Sequence, residues 1–452
     1  MKQRLTQGDI GSTLVRLTLP MIWGLFAIIA FNLVDTYFVG QLGTEPLAAM
    51  SFTFPVVTTL GSLSMGLGVG ASSVISRAIG EGDQQRVKKF TTNSLTLALT
   101  TVVIFVVLGF LTIDPLFTAL GASANVLPLV RDYMQIWYIG MIFLVVPMVG
   151  NSAISASGNT VTPSIIMMIA AGINIVLDPL LILGLGGFPR MELQGAALTT
   201  VISRAITLIA ALFVLHFKER MLYLKLPSIQ NMLWCWKDIL YVGLPAAGSS
   251  MINPISIGVI TSILAGFGAE AVAAFGVASR IESFALIFLM ALSASIAPFI
   301  GQNWGAKQYA RVGKALQLSF LFCLFWGLTV AVILALTAPS LVAFFNQNPD
   351  IITIASRYLW IVPISYAGAG IILIASSAFN TLGKPIPSVV MTVARMFVLY
   401  IPLAYLGGRI YGVDGIFAAG CISNLIVGFG AYVWNQKTCT AKAAKKAGLV
   451  GN

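Results

Sequence analysis

Twelve stretches of predominantly apolar residues, each long enough to cross a bilayer, leave this chain little choice of solvent. One crossing takes about 20 apolar residues, and the runs are read at 17–40, 47–76, 91–113, 129–150, 163–186, 195–216, 240–266, 272–300, 315–337, 356–378, 387–406 and 415–434. Hydrophobic residues make up 58% of the chain and charged residues only 9%, against roughly 25% charged in a soluble domain. Backbone groups inside lipid must be satisfied within the segment that carries them, so the expected fold is all-α. No small-residue cleavage site follows the first run, and Asp35 interrupts its outer part, so it is expected to stay as a span.

Several function classes fall away on composition. Cys235, Cys323, Cys421 and Cys439 lie far apart, no CxxC occurs, and His216 is the single histidine. A disulfide framework, a metal site or a membrane-embedded enzyme is therefore not expected. No GxxxxGK[ST] loop appears, so ATP is not expected to drive the protein and no cofactor is anticipated. The net charge of +11 does not point to nucleic acid. Twelve crossings put both termini on one side, and Lys and Arg gather on that side, including Lys2, Arg4, Arg86, Lys225, Lys314 and Lys442, while Arg190 and Arg409 stand opposite. Both termini are expected to be cytoplasmic.

An internal repeat divides the chain. Leu19-Pro20 recurs as Leu244-Pro245, and LGTEPLAA at 42–49 recurs as FGAEAVAA at 267–274, with Glu45 answering Glu270 at a separation of 225 residues. At the same offset Gly80, Arg86 and Lys89 meet Gly305, Arg311 and Lys314, and Tyr133 and Gly158 meet Tyr358 and Gly383. The expected organisation is two pseudo-symmetric six-helix bundles at 1–217 and 239–435, a charged cytoplasmic linker at 218–238 and a basic tail at 436–452. An even number of spans per bundle orients the copies alike, with a pseudo-two-fold axis along the membrane normal and a cleft between them.

The chemistry is sought where the copies differ. Asp35 maps onto Ile260 and Asp178 onto Leu403, and an acid inside a span costs roughly 2.5–3.5 kcal/mol on insertion scales, so by default it marks a site. The second half has no acid read at mid-span; Glu282 stands near the start of the eighth, two residues after Arg280. Counting 1.5 Å per residue from the outer ends puts Asp35 and Asp178 roughly 8–12 Å deep. Asn174 is one turn from Asp178 on the same face, and Thr199, Thr200 and Tyr138 reach a similar level. Asn32 and Tyr37 flank the first acid and are read as cavity residues with Tyr138, Thr199 and Thr200. Pro20 offers a place for the first helix to bend. Arg204 and Arg395, also inside spans, are expected to be structural, each needing a carboxylate or carbonyl partner.

Two six-helix repeats with Leu-Pro opening spans one and seven, the run VDTYFVGQLG, and the paired segments GASSVISRAIGEGD and IAPFIGQNWGA resemble the multidrug and toxic compound extrusion (MATE) family. The acid in span one and the Asn174/Asp178 pair in span five resemble its DinF branch, whereas the NorM branch has acids in spans seven and ten, which have none here. The resemblance implies a V-shaped fold alternating between outward-open and inward-open states, and export of cationic or amphipathic drugs against H⁺ or Na⁺.

A carboxylate taken out of water and set beside another holds a proton more readily. The expectation is therefore H⁺-coupled multidrug antiport, with Asp35, Asp178 and Asn174 as the coupling group, by a monomer. Two alternatives stay open: a Na⁺-coupled antiporter using Asp35, Asn174, Asp178 and Thr199, and a flippase for lipid-linked saccharides, which would line its cleft with several basic residues.

Overall fold

A computed structural model describes residues 5–42, 44–122, 125–223 and 228–439, with only the backbone for 44–48. Lys2, Arg4, Lys225 and the part of the basic tail beyond Cys439 lie outside the described residues, which contain helices and no strand. Eleven helical runs are long and apolar enough to cross a membrane. They are α1 (Ile10–Gly40), α2 (Thr44–Glu81), α3 (Gln84–Ala119), α4 (Leu127–Ala156), α5 (Val161–Ile182), α6 (Glu192–Lys218), α7 (Ile229–Ala265), α8 (Ala269–Gly305), α9 (Tyr309–Phe345), α10 (Pro349–Thr381) and α11 (Pro385–Thr438). The surface is apolar where a soluble protein's would be polar: Leu336 is 80% and Phe344 86% exposed, as lipid-facing side chains should be.

The count of eleven against twelve expected spans resolves at a glycine. α11 runs for 54 residues, more than twice one crossing, and its backbone leaves helical geometry at Gly412, with φ 62° and ψ −143°. Its two arms, before and after that break, correspond to the spans at 387–406 and 415–434. They approach so closely that a Cβ on Gly415 would lie 2.1 Å from the Gly407 carbonyl oxygen. The Arg357–Asp414 pair at 3.1 Å ties this turn to α10; both partners are exposed, so it contributes at most about 1 kcal/mol. Gly415→Leu is expected to destabilise the protein by about 1–3 kcal/mol through backbone overpacking, seen as a lower melting temperature in detergent.

The packing units do not follow the repeat boundaries at 1–217 and 239–435. Among the described residues, unit 1 is built from Leu19–Ala247, and unit 2 from Leu5–Thr18 together with the chain from Gly248 to Cys439. The stretch read as a linker is partly helix, since α7 begins at Ile229, and its part up to Ala247 packs in unit 1. Glycines make that possible: a Cβ on Gly70 of α2 would sit 2.3 Å from the Ile239 carbonyl oxygen, and one on Gly66 2.4 Å from that of Gly243. Small residues let helix backbones approach closely in a membrane. The Trp236 indole N–H donates to the Asn93 carbonyl at 3.1 Å and fixes the register.

The first part of α1 and the turn before it are held in unit 2 in the corresponding way. The Ser295 hydroxyl donates to the Leu17 carbonyl at 3.1 Å, the Asn303 amide to that of Leu5 at 3.1 Å, and the Arg311 guanidinium to that of Gly8 at 2.8 Å. Thus Pro20 lies two residues past the point where α1 passes from one unit to the other, and Pro245 two residues before the matching point in α7. The repeated Leu-Pro pair marks the two places where a helix changes its packing partners.

Candidate functional site

In unit 1 the membrane carboxylates are buried against α4, α5 and α6. Asn174 and Asp178, one turn apart on α5, are both fully buried, and Asp35 on α1 is 9% exposed. Thr199 on α6 joins the α5 pair. Its hydroxyl donates to Asp178 Oδ1 at 2.7 Å, while the Asn174 amide donates to the same hydroxyl oxygen at 3.3 Å. Asp35 stands within Coulombic reach of Asp178 and of Tyr133 on α4.

The chemistry of the cluster lies in its imbalance of donors. Asp35 Oδ1, Asp178 Oδ2 and Asn174 Oδ1 are buried acceptors with no hydrogen-bond partner among the described residues. An unmet buried acceptor costs about 1–3 kcal/mol, more when charged, and a proton or a small cation bound there would relieve it. Oxygens on α1 and α5, with a hydroxyl from α6, are a donor set suited to hydrogen ion or sodium.

Tyr138, Thr200, Tyr37 and Asn32, read from the sequence as cavity residues, make no hydrogen bond to these acids among the described residues. Tyr138 is buried, but its ring packs on Phe110 and Trp137 with centroids 5.9 and 6.1 Å apart, and it fills the space left by Gly109 of α3. The tyrosine near Asp35 is Tyr133, about 140° away around the same helix. Thr200, one step round α6 from Thr199, donates to its own helix at the Ala196 carbonyl at 3.1 Å. Tyr37 is 63% exposed and packs on Phe38; two residues on from Asp35, it is turned away by about 200°. Asn32 is exposed, and its backbone carbonyl accepts from Thr36 at 2.8 Å. These four do not join the carboxylate cluster.

Unit 2, read as lacking a mid-span acid, has a polar cluster of its own. The Glu282 carboxylate on α8 accepts a short hydrogen bond from the Tyr358 hydroxyl of α10, and Glu282 lies about 20 Å along its helix. The rings of Phe275 and Phe417 pack on Tyr358 with centroids 5.8 and 4.9 Å apart. Tyr366, Tyr400 and Arg395 stand within Coulombic reach of Glu282. The Tyr366 hydroxyl is buried without a partner. The sequence held the signal: Tyr358 is the counterpart of Tyr133, so each half sets the repeat tyrosine near a carboxylate, delivered by α1 in one and α8 in the other.

Neither intramembrane arginine has a carboxylate in contact among the described residues. Arg204 lies over the Phe31 ring at 5.5 Å, beside a small cavity bounded by Ile28 and Phe31 of α1, Met167 and Ala170 of α5 and Ser203 of α6. A cation over an aromatic face is stabilised by the ring quadrupole, by about 2 kcal/mol where both are desolvated. Arg395 donates to the Asn253 side chain at 2.9 Å.

Comparison with known proteins agrees with this architecture. The sequence profile of the MatE family matches the chain twice, over residues 20–180 and 245–406; the two matches begin 225 residues apart, the offset of the internal repeat. A FAD transporter of Shewanella oneidensis is 41% identical over 449 residues, 99% of either chain. The probable multidrug resistance protein YoeA of Bacillus subtilis is 26% identical, over 90% of this chain and 91% of that one. The crystal structure of the Vibrio cholerae MATE transporter VcmN in its bent form superposes with a TM-score of 0.90 at 29% identity, covering 95% of this chain and 97% of the other. With both repeats matched by that profile and the helical fold shared along nearly its whole length, the chain belongs to the MATE family of membrane transporters and is not an enzyme.

Proposed function

We propose that the protein is a secondary active exporter in which Asp35 and Asp178 take up H⁺ from the outer side and couple its entry to the export of small amphipathic molecules. The observation that carries this reading is the set of partnerless buried oxygens on Asp35, Asp178 and Asn174, which a bound proton would satisfy. Protonation would favour one conformation of α1, bending near Pro20 where the helix changes packing partners. A cationic cargo would compete with the proton for the same negative charge, and that competition links the two fluxes. The same oxygens suit Na⁺, which the test below separates from H⁺. The protein is placed by this reading in the inner membrane of a bacterium, with both termini in the cytoplasm.

A second reading of the cargo is favoured by one comparison. The relative at 41% identity is a FAD transporter, while the multidrug relatives stand near 25%. A flavin dinucleotide is aromatic and amphipathic, but its diphosphate is anionic, so it would not compete with a proton for Asp35. Coupling would then run through the conformation of α1 alone.

Reconstituted vesicles test both readings. With sodium omitted and the compartment facing the extracellular side made acidic, uphill movement of ethidium and of FAD toward that side is expected to be measurable. Movement that requires Na⁺ and ignores the pH gradient would overturn H⁺ coupling; transport of one cargo without the other decides between the cargo readings.

A further inference from the structure

We propose that Arg395 and Asn253 in unit 2 form an anion-recognition site that holds the phosphate of an aromatic cargo. The inference deepens the second cargo reading and rests on it for the identity of the ligand.

Arg395 lies about 15 Å along α11 from its start at Pro385, within a span, where an unpaired cation is costly. Its partner there is neutral: the guanidinium donates to Asn253 Oδ1 of α7 at 2.9 Å. The Nε–H is buried and has no partner among the described residues. Arg395 takes part in none of the ion pairs found among the described residues. Glu282 stands within Coulombic reach of Arg395 without an ion pair to it, and its carboxylate accepts from Tyr358. A counter-charge at a distance lowers the cost of the guanidinium while leaving donors of its fork free. Planar donors of this kind match phosphate oxygens in a two-point contact.

Two further observations point the same way. Asn253 is exposed and Arg395 half-buried, and since such a polar pair inside a span cannot face acyl chains, it faces water. Around Arg395 the helix widens into a π turn over Ala394–Tyr400, a distortion frequent at functional sites. Tyr400, at the end of the same turn, stands within Coulombic reach of Arg395.

The repeat sharpens the contrast. At the 225-residue offset Asn253 and Arg395 correspond to Ile28 and Ala170, which line the cavity beside Arg204 in unit 1. Both halves therefore place one guanidinium at the same helix seam. In unit 1 it covers an aromatic ring; in unit 2 it meets an amide, with a donor to spare.

The test begins with binding. Inorganic pyrophosphate, added to the full-length protein in detergent, is expected to raise the melting temperature of the wild type. Arg395→Gln should abolish that shift, Arg395→Lys should keep part of it, and Arg190→Gln, a change at an exposed cation, should keep all of it. No shift in the wild type, or an equal shift in Arg395→Gln, overturns the site. A melting temperature of the unliganded variant within a few degrees of the wild type shows that it is folded. Transport then compares FAD with phosphate-free riboflavin: Arg395→Gln should lower the preference for FAD about tenfold, the weight of one charge-assisted phosphate contact. An unchanged preference overturns the proposal. A wild type that binds pyrophosphate but does not move FAD defeats the cargo reading and leaves the site standing.

Discussion

Asp35→Asn is expected to abolish uphill export while leaving the protein folded. The substitution keeps the shape of the side chain and removes its charge, so α1 is fixed in the state that protonation would otherwise select. A ligand shifts a conformational equilibrium only by its differential affinity for the two states, and with no site to titrate the proton gradient has nothing to act on. Gradient-driven accumulation in vesicles should fall at least about tenfold, the effect of losing about 1.4 kcal/mol of coupling, while cargo exchange down its own gradient persists. Unchanged accumulation would remove Asp35 from the mechanism. An equal loss of downhill exchange would mean that the residue supports the fold.

Thr199→Val should damage both stability and coupling. The hydroxyl is the bridge between the two α5 residues, donating to Asp178 and accepting from Asn174. Valine is nearly isosteric but leaves a buried carboxylate oxygen without its donor and an amide without its acceptor. Each unmet buried group costs about 1–3 kcal/mol, so the melting temperature should drop by several degrees and uphill transport should weaken in parallel. Thr199→Ser keeps the hydroxyl and should restore most of both. If Thr199→Val were as stable and as active as the wild type, the buried network would be a bystander.

Much of this site can be read from the chain itself. The spacing of Asn174 and Asp178 puts them on one helix face whatever the rotation of α5, and counting from the span ends puts Asp35 at their level. The choice between Tyr133 and Tyr138 could not be made that way. Both lie on α4 within two turns, and which faces the acids depends on the rotation of the helix, set by packing of Tyr138 against Gly109. Thr199 and Thr200 pose the same problem, since adjacent residues diverge by about 100°. Hydropathy begins at 272 and so places Glu282 near the start of its span; the acid reaches Tyr358, a contact across 76 residues that no local pattern encodes. Arg395 meets a carbonyl oxygen, as expected, but that of a side-chain amide 142 residues away, a pairing that no local pattern encodes.

The leading segments of α1 and α7 each complete the unit that the rest of the helix does not belong to. This is the signature of a swap: had the two repeats once been separate chains, each would have lent its opening half-helix to a twin, as in an exchanged dimer. Fusion through 218–238 would have made that loan permanent. The stretch that looks safest to cut is accordingly the one that ties unit 1 to its last half-helix, so evolutionary module and mechanical part are different objects in this molecule.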